Sequence, residues 1–303
     1  MPTRRDVLGT LLGSGLAGIR LPAAARPTLF APAKAPVIEW NAHLFSSDLQ
    51  RYPLHPQATY RRDVSKDPAD PLADYLKRLN SEGIDYAVVV QPEPYGDDHR
   101  LVRDALQREP QRLRGTSLFY PADPDAPRKL AELVRAEPRI VSTRFHAHRG
   151  KETYFKSFAD DGVRALWKAA VDRGMVIELH IGPDYARQAG KAIAAFPGSK
   201  VLIDHLAEPH MGTGVEFADV LELANYPEVY MKLSGIGHFA KDEPNYESAL
   251  PFTSRVIREF GPERMVWGSG RPGIVDFHMK GYSPAEIASV KGGNLQRLLK
   301  WRT

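Results

Sequence analysis

The sequence predicts an α/β fold, a single-domain (β/α)8 barrel of the TIM type, on three observations. Short apolar runs and amphipathic stretches alternate eight times from Val37 onward. No G-x-G-x-x-G or G-x-x-x-x-G-K-[ST] pattern follows the first run, so a doubly wound open sheet, the other architecture built on such alternation, lacks support. The chain has 303 residues, 43% of them hydrophobic, enough for one large core, and no low-complexity linker divides it.

The elements follow in order. The first predicted strand, Val37 to Glu39, leads to Asn41 and His43, and the Pro-, Arg- and Tyr-rich stretch Ser46 to Asp70 reads as a long loop and a natural lid. A helix over Leu72 to Glu82 precedes the β-branched run Ile84 to Gln91, which delivers Gln91, Glu93 and Tyr95. Helix Asp98 to Glu109, strand Leu113 to Phe119 and helix Ala126 to Glu137 come next. Strand Ile140 to Phe145 brings Arg144, His146 and His148 to its end. After helix Gly162 to Arg173, strand Met175 to His180 places Glu178 on the same side as His180 and deeper in the barrel, where a buried carboxylate needs a partner such as Lys232. Helix Tyr185 to Phe196 leads to strand Lys200 to Ile203, ending in Asp204-His205. Helix Val215 to Ala224 and strand Val229 to Ser234 deliver Lys232 and Ser234. Helix Tyr246 to Phe260 precedes the last strand, Met265 to Gly268, which opens into Ser269-Gly270. The closing helix, Pro284 to Leu299, has Ser283 as N-cap, Pro at its first position and Glu286 to reinforce the start.

Lys and Arg number 41 against 37 Asp and Glu, a net charge of +4, and part of that excess sits in Arg4, Arg5, Arg20 and Arg26. No basic stripe with interleaved aromatics follows, which argues against a nucleic-acid partner. The chain has no cysteine, which excludes disulfides, zinc-thiolate sites and thiol nucleophiles. Residues 1–25 carry paired Arg4-Arg5, a Gly-rich apolar run and Ala23-Ala24-Ala25, the order of a twin-arginine signal cleaved near Ala25. That predicts a periplasmic protein with residues 26–36 as linker and 37–303 as the barrel. The apolar run is too short for a permanent span, so no membrane association beyond export is expected.

In a barrel of this kind the C-terminal ends of the strands share one mouth. A lone histidine at a strand end is most often a hydrogen-bonded structural residue. His43, His146, His180 and His205 lie at four different strand ends, which predicts a shared functional mouth.

The run Val37-Ile38-Glu39-Trp40-Asn41-Ala42-His43 resembles the D-x-H-x-H opening of the amidohydrolase superfamily, with Glu39 for the acid and Asn41 for the first His. Gln91 to Gly96, Ile203-Asp204-His205-Leu206-Ala207-Glu208-Pro209, Met231 to Gly235 and Arg264 to Pro272 follow in that family's order. With Tyr52-Pro53 and Ala58-Thr59-Tyr60 they are most similar to the amidohydrolase-2 branch, of the 2-pyrone-4,6-dicarboxylate lactonase type. In metal-dependent members the resemblance implies zinc or manganese on two first-strand histidines, a strand 5 His and a strand 8 Asp. Here His43 and His180 stand at two of those places, while Asn41 and Gly270 replace the other ligands. No tightly bound cofactor is therefore expected, with a divalent metal, Zn or Mn, left as an alternative on His43 and His180.

In the lactonase-like members the resemblance implies metal-free hydrolysis of an anionic small molecule. His43, His180 and His205 would be catalytic, and Asn41, Tyr60, Gln91, Glu93, Tyr95, Arg144 and His146 would bind substrate. Arg144 would grip a carboxylate by two parallel hydrogen bonds. The usual strand 8 acid is missing at Gly270, so the base must lie elsewhere, with Glu93 or Asp276 the expected substitutes and Asp204 and Glu208 also near the mouth. Three readings stay open. They are a periplasmic metal-free hydrolase of a small carboxylated lactone, a metal-dependent hydrolase or decarboxylase with a weakened site, and a non-catalytic small-molecule binding protein on the same fold.

Overall fold

Eight apolar runs separated by amphipathic helices can bury both faces of every strand by rolling the sheet up inside a ring of helices. A computed structural model describes residues 35–147 and 154–301. The twin-arginine segment, most of the expected linker and His148 lie outside the described residues.

The strands are β1 (Ile38–Ala42), β2 (Tyr86–Val90), β3 (Leu113–Leu118), β4 (Ile140–His146), β5 (Val176–His180), β6 (Lys200–Ile203), β7 (Val229–Leu233) and β8 (Met265–Trp267). All pairs are parallel and follow chain order. β8 comes back beside β1, giving a nearly closed barrel. The outer layer comprises α1 (Pro71–Ser81), α2 (Arg100–Arg108), α3 (Ala126–Ala136), α4 (Asp161–Val171), α5 (Ala186–Ala195), α6 (Gly214–Glu222) and α7 (Leu250–Phe260), followed by the short helices α8 (Gly273–His278), α9 (Pro284–Ala288) and α10 (Asn294–Leu298).

Alternation along the strands divides the core into two. One set of apolar side chains fills the space between strands and helices. Inside the barrel, Ile38, Trp40, Val88, Val90, Val176, Leu202 and Val266 pack together and are closed from below by Leu295, Leu298 and Trp301. The register then stacks a polar layer on this apolar floor. Arg144 lies opposite Glu178 and His146 opposite His180, while Lys232 lies opposite Val266.

The departures from the predicted elements have local causes. The helix expected from Tyr246 begins at Leu250, because Tyr246 sits at φ 52°, in the left-handed region a helix cannot contain. The single helix expected over Pro284 to Leu299 is interrupted by a π turn, Ser289–Gly293. There the chain presses against the segment before β1: a Cβ on Gly292 would stand 1.9 Å from the carbonyl oxygen of Pro36. Its start is as expected, with Ser283 and Glu286 forming a capping box. The helix α8 had no expectation behind it.

Candidate active site

Four charged side chains that would each be costly to bury alone share the barrel interior. Arg144, Glu178, Asp204 and Lys232 are all essentially inaccessible. Lys232 Nζ lies 2.7 Å from Glu178 Oε1 and 2.6 Å from Asp204 Oδ1. Arg144 donates to Asp204 Oδ2 through Nε at 2.9 Å and Nη2 at 2.6 Å. Trp40 Nε1 donates across the barrel to Glu178 Oε2 at 3.0 Å. Burial alone would raise the Asp204 pKa, but Lys232 and Arg144 hold it well below the usual carboxylate range. Glu178 is displaced upward, by burial and then by the charge of Asp204. Glu178 thus has the deeper position and the Lys232 partner that its spacing implied, and Asp204 makes an internal contact.

Above this layer runs a row of imidazoles. Ring centroids are 4.3 Å apart for His146 and His180, 5.1 Å for His180 and His205, and 5.3 Å for His205 and His238. Their hydrogen-bond partners fix several tautomers. Arg144 Nη2 lies 2.9 Å from His180 Nδ1, and a guanidinium only donates, so Nδ1 holds the lone pair and Nε2–H donates to Glu208 Oε1 at 2.9 Å. His238 Nδ1 donates to the other carboxylate oxygen, Glu208 Oε2, at 2.8 Å, which leaves its Nε2 basic. His43 donates from Nδ1 to the Val90 carbonyl at 3.2 Å. Burial, reinforced by the charges of Arg144 and Lys232, lowers the His43 pKa to about 3. The same causes push His205 well below its ordinary value, and its Nδ1 pairs with Ser234 Oγ at 2.9 Å.

The loop carrying His205 and Glu208 is held in a costly form. His205, Leu206, Ala207 and Glu208 have φ of 48°, 55°, 57° and 47°, four consecutive non-glycine residues in the left-handed region. It packs against Gly235, where an added Cβ would lie 2.6 Å from His205 Cβ. The strained turn swings Glu208 under the imidazoles of His180 and His238.

The imidazoles border a cavity of ≈ 430 Å³ at the barrel mouth. Of the residues expected from the sequence, Asn41, His43, Tyr60, Glu93, Arg144, His146, His180 and His205 all line it. Gln91 and Tyr95 do not: Gln91 Nε2 donates to the carbonyls of Gly96 and Asp98, and the Tyr95 hydroxyl accepts from Ser46 N–H, so both hold loops. The two-bond grip expected of Arg144 is not available while Nε and Nη2 are committed to Asp204 and His180. Asp276 is exposed on α8 and paired with Lys291 at 2.5 Å, outside the cavity wall. Glu93 does reach the cavity, where it accepts a hydrogen bond from Thr59 and lies 3.4 Å from His146 Nδ1.

Sequence reasoning passed over two wall residues. Arg62, in the first loop, pairs with Asp67 at 2.7 Å and lies 4.4 Å over the Phe45 ring. His238 sits three residues beyond Gly235, in a turn rather than at a strand end, and its side chain is 43% exposed, so solvent reaches it.

The expected metal ligands do not form a set. Asn41 offers a neutral amide whose buried Oδ1 has no hydrogen-bond partner, and Gly270 offers nothing. A different trio, His180, His205 and Glu208, brings one ligand atom from each within 4.8 Å of the others. Two imidazoles and a carboxylate are a donor set that suits a divalent ion.

The Amidohydrolase (Amidohydro_2) family model matches residues 38–289. A 4-sulfomuconolactone hydrolase of Rhizobium radiobacter is 27% identical over 208 residues, 68% of this chain and 67% of the relative. An L-fucono-1,5-lactonase of Burkholderia ambifaria is 28% identical over 220 residues, 70% of this chain and 71% of the relative. Among solved structures, a Pseudomonas putida protein described as a 2-pyrone-4,6-dicarboxylic acid hydrolase superposes with a TM-score of 0.71 at 25% identity, covering 89% of this chain and 99% of its own.

Proposed function

Because the chain belongs to the amidohydrolase family, we propose that it is a periplasmic hydrolase of a small carboxylated cyclic ester, working without a tightly bound metal. The observation that carries this reading is the pair formed by His238 and Glu208 at the cavity edge. A carboxylate that fixes one imidazole nitrogen as a donor leaves the other as a base, the arrangement that activates water in many acyl-transfer sites.

In the proposed reaction His238 Nε2 takes a proton from water as the water oxygen adds to the lactone carbonyl. The developing oxyanion is stabilised by Arg144, whose Nη1 takes no part in the bonds to Asp204 and His180. The ring C–O bond then breaks, and the departing oxygen receives the proton from His238, giving an open hydroxy acid. His43, with its pKa near 3, stays neutral and accepts hydrogen bonds. His180, saturated by Arg144 and Glu208, positions both of them. The two lactone-hydrolysing relatives support the substrate class, and the paired arginines and Ala triplet of residues 1–25 support export.

A second reading is favoured by the His180, His205 and Glu208 trio, which would hold zinc or manganese. A bound ion would polarise the carbonyl as a Lewis acid. Purified protein assayed on a lactone panel, with elemental analysis and chelation, separates the readings. Turnover that survives chelation is expected; loss on chelation with recovery on adding zinc favours the second reading. If no lactone turns over but one raises the melting temperature, the chain is a binding protein. Cell fractionation tests export, which the double substitution of Arg4 and Arg5 by Lys should abolish.

A further inference from the structure

Gly270 is more than a missing acid. It sits at φ 88°, and a Cβ placed there would meet no atom within 4 Å. Gly270 lines a second cleft of ≈ 820 Å³, between the turn after β7 and the loop after β8. The two spaces share Gly235, His238 and Ser269 as walls, so the proposed base stands at their junction. Each volume falls in the range that holds a small organic ligand or a substantial part of one.

The second cleft contains one guanidinium, that of Arg271. Arg271 is exposed, and its guanidinium forms no hydrogen bond or ion pair among the described residues. The two arginines of the central cavity are different: Arg62 is paired with Asp67, and Arg144 with Asp204. The carboxylate in the same cleft, Glu243, accepts the Tyr246 hydroxyl at 3.2 Å and makes no pair with Arg271. Arg271 is thus the wall cation whose donors are uncommitted.

We propose that this cleft is a second subsite, in which Arg271 binds an anionic substituent, carboxylate or sulfonate, of a substrate whose lactone ring lies against the imidazoles. The shared walls Gly235, His238 and Ser269 let one molecule reach across both. The proposal rests on the lactone-hydrolase reading and deepens it: the substrate is a lactone with a charged arm rather than a compact ring. A guanidinium matches either anion by two parallel donors.

The test uses the full chain with three probes: δ-valerolactone, a δ-lactone carrying a terminal carboxylate on a short alkyl arm, and the methyl ester of that arm. Arg271→Ala should lower the preference in kcat/KM for the carboxylate over its methyl ester by about tenfold, the scale of one charge-assisted contact. Arg271→Lys should retain part of it. Ile274→Trp, which fills the cleft, should raise KM for both armed probes and leave δ-valerolactone far less affected. An unchanged carboxylate preference in Arg271→Ala, or an equal loss for all three probes in Ile274→Trp, overturns the subsite. If no probe is hydrolysed, the hydrolase reading fails on its own. Calorimetric binding then decides the subsite: tenfold weaker binding of the carboxylate probe to Arg271→Ala supports it, and equal binding overturns it.

Discussion

The two sides of the barrel mouth are furnished unequally. From β4 to β7 the strand ends and turns carry His146, His180, His205, Glu208 and His238 in one connected set, above the ionic layer of Arg144, Glu178, Asp204 and Lys232. From β8 to β1 the corresponding places hold Gly270, open to solvent, Asn41, whose Oδ1 is buried without a partner, and a single imidazole, His43. The barrel fixes the directions of its strand ends, but which ends carry the chemistry is free to change. In this chain the furnished side has its own carboxylate, Glu208, delivered by a strained turn after β6, and the bare side has become an opening.

The strongest way to break this comparison is to disable the furnished side. Glu208→Gln preserves volume but can no longer accept from both imidazoles, so His238 loses its orienting anion. Turnover should fall by roughly 10³ to 10⁴, the scale seen when the carboxylate behind a catalytic histidine is neutralised. Melting temperature should stay within a few degrees. A loss of less than about tenfold would sink the His238 and Glu208 assignment.

The layer beneath should matter for stability more than for chemistry. Lys232→Met leaves Glu178 and Asp204 to share Arg144 as their only cation within the quartet, and breaking a buried ionic set by removing one partner costs about 3–5 kcal/mol. Urea unfolding measures this. A cost under about 1 kcal/mol would show that the four charges do not act as a unit.

Much of this inequality was legible in the sequence. Gly270 and Asn41 are visible as substitutions at strand ends, and the four histidines fall at strand termini because alternation in a barrel leaves few other places for them. The turn geometry was not legible. Nothing in Leu206-Ala207 announces a run of left-handed residues, since the conformation is imposed by the packing of His205 against Gly235. Hence Glu208 could be named among several carboxylates near the mouth but not singled out. His238 was missed because it lies beyond the strand end, in a turn whose path the strand period does not set. Gln91 and Tyr95 were placed in the site because they follow β2. The Gln91 amide nitrogen and the Tyr95 hydroxyl are instead taken up by backbone groups, which short-range pattern does not reveal.

Refilling the bare side should do little for catalysis. Gly270→Asp places a side chain at φ 88°, which costs roughly 1–2 kcal/mol in backbone strain. It should not raise turnover on δ-valerolactone if, as proposed, the base is His238. A gain of about tenfold or more, with or without added zinc, would mean that the barrel still waits for an acid at this position.

The smallest expected effect is on the pH dependence of stability, and it tests whether the barrel mouth holds its imidazoles neutral. His43 and His205 have folded-state pKa values below the ordinary 6.5, His43 at about 3. Between those values the unfolded chain binds protons that the folded chain does not, so stability falls as pH drops from about 6.5. Each such histidine contributes a slope of at most about 1.4 kcal/mol per pH unit. Asp204, whose pKa is lowered, stabilises the fold above its ordinary 3.8 and loses that contribution only in stronger acid, while Glu178, displaced upward, works in the opposite sense to the histidines, so the comparison with a histidine variant isolates their share. Urea titrations at pH 7, 6 and 5 should show this decline in the parent protein and a shallower one in His205→Gln. An unchanged slope in the variant would mean that burial and the neighbouring cations do not hold His205 neutral.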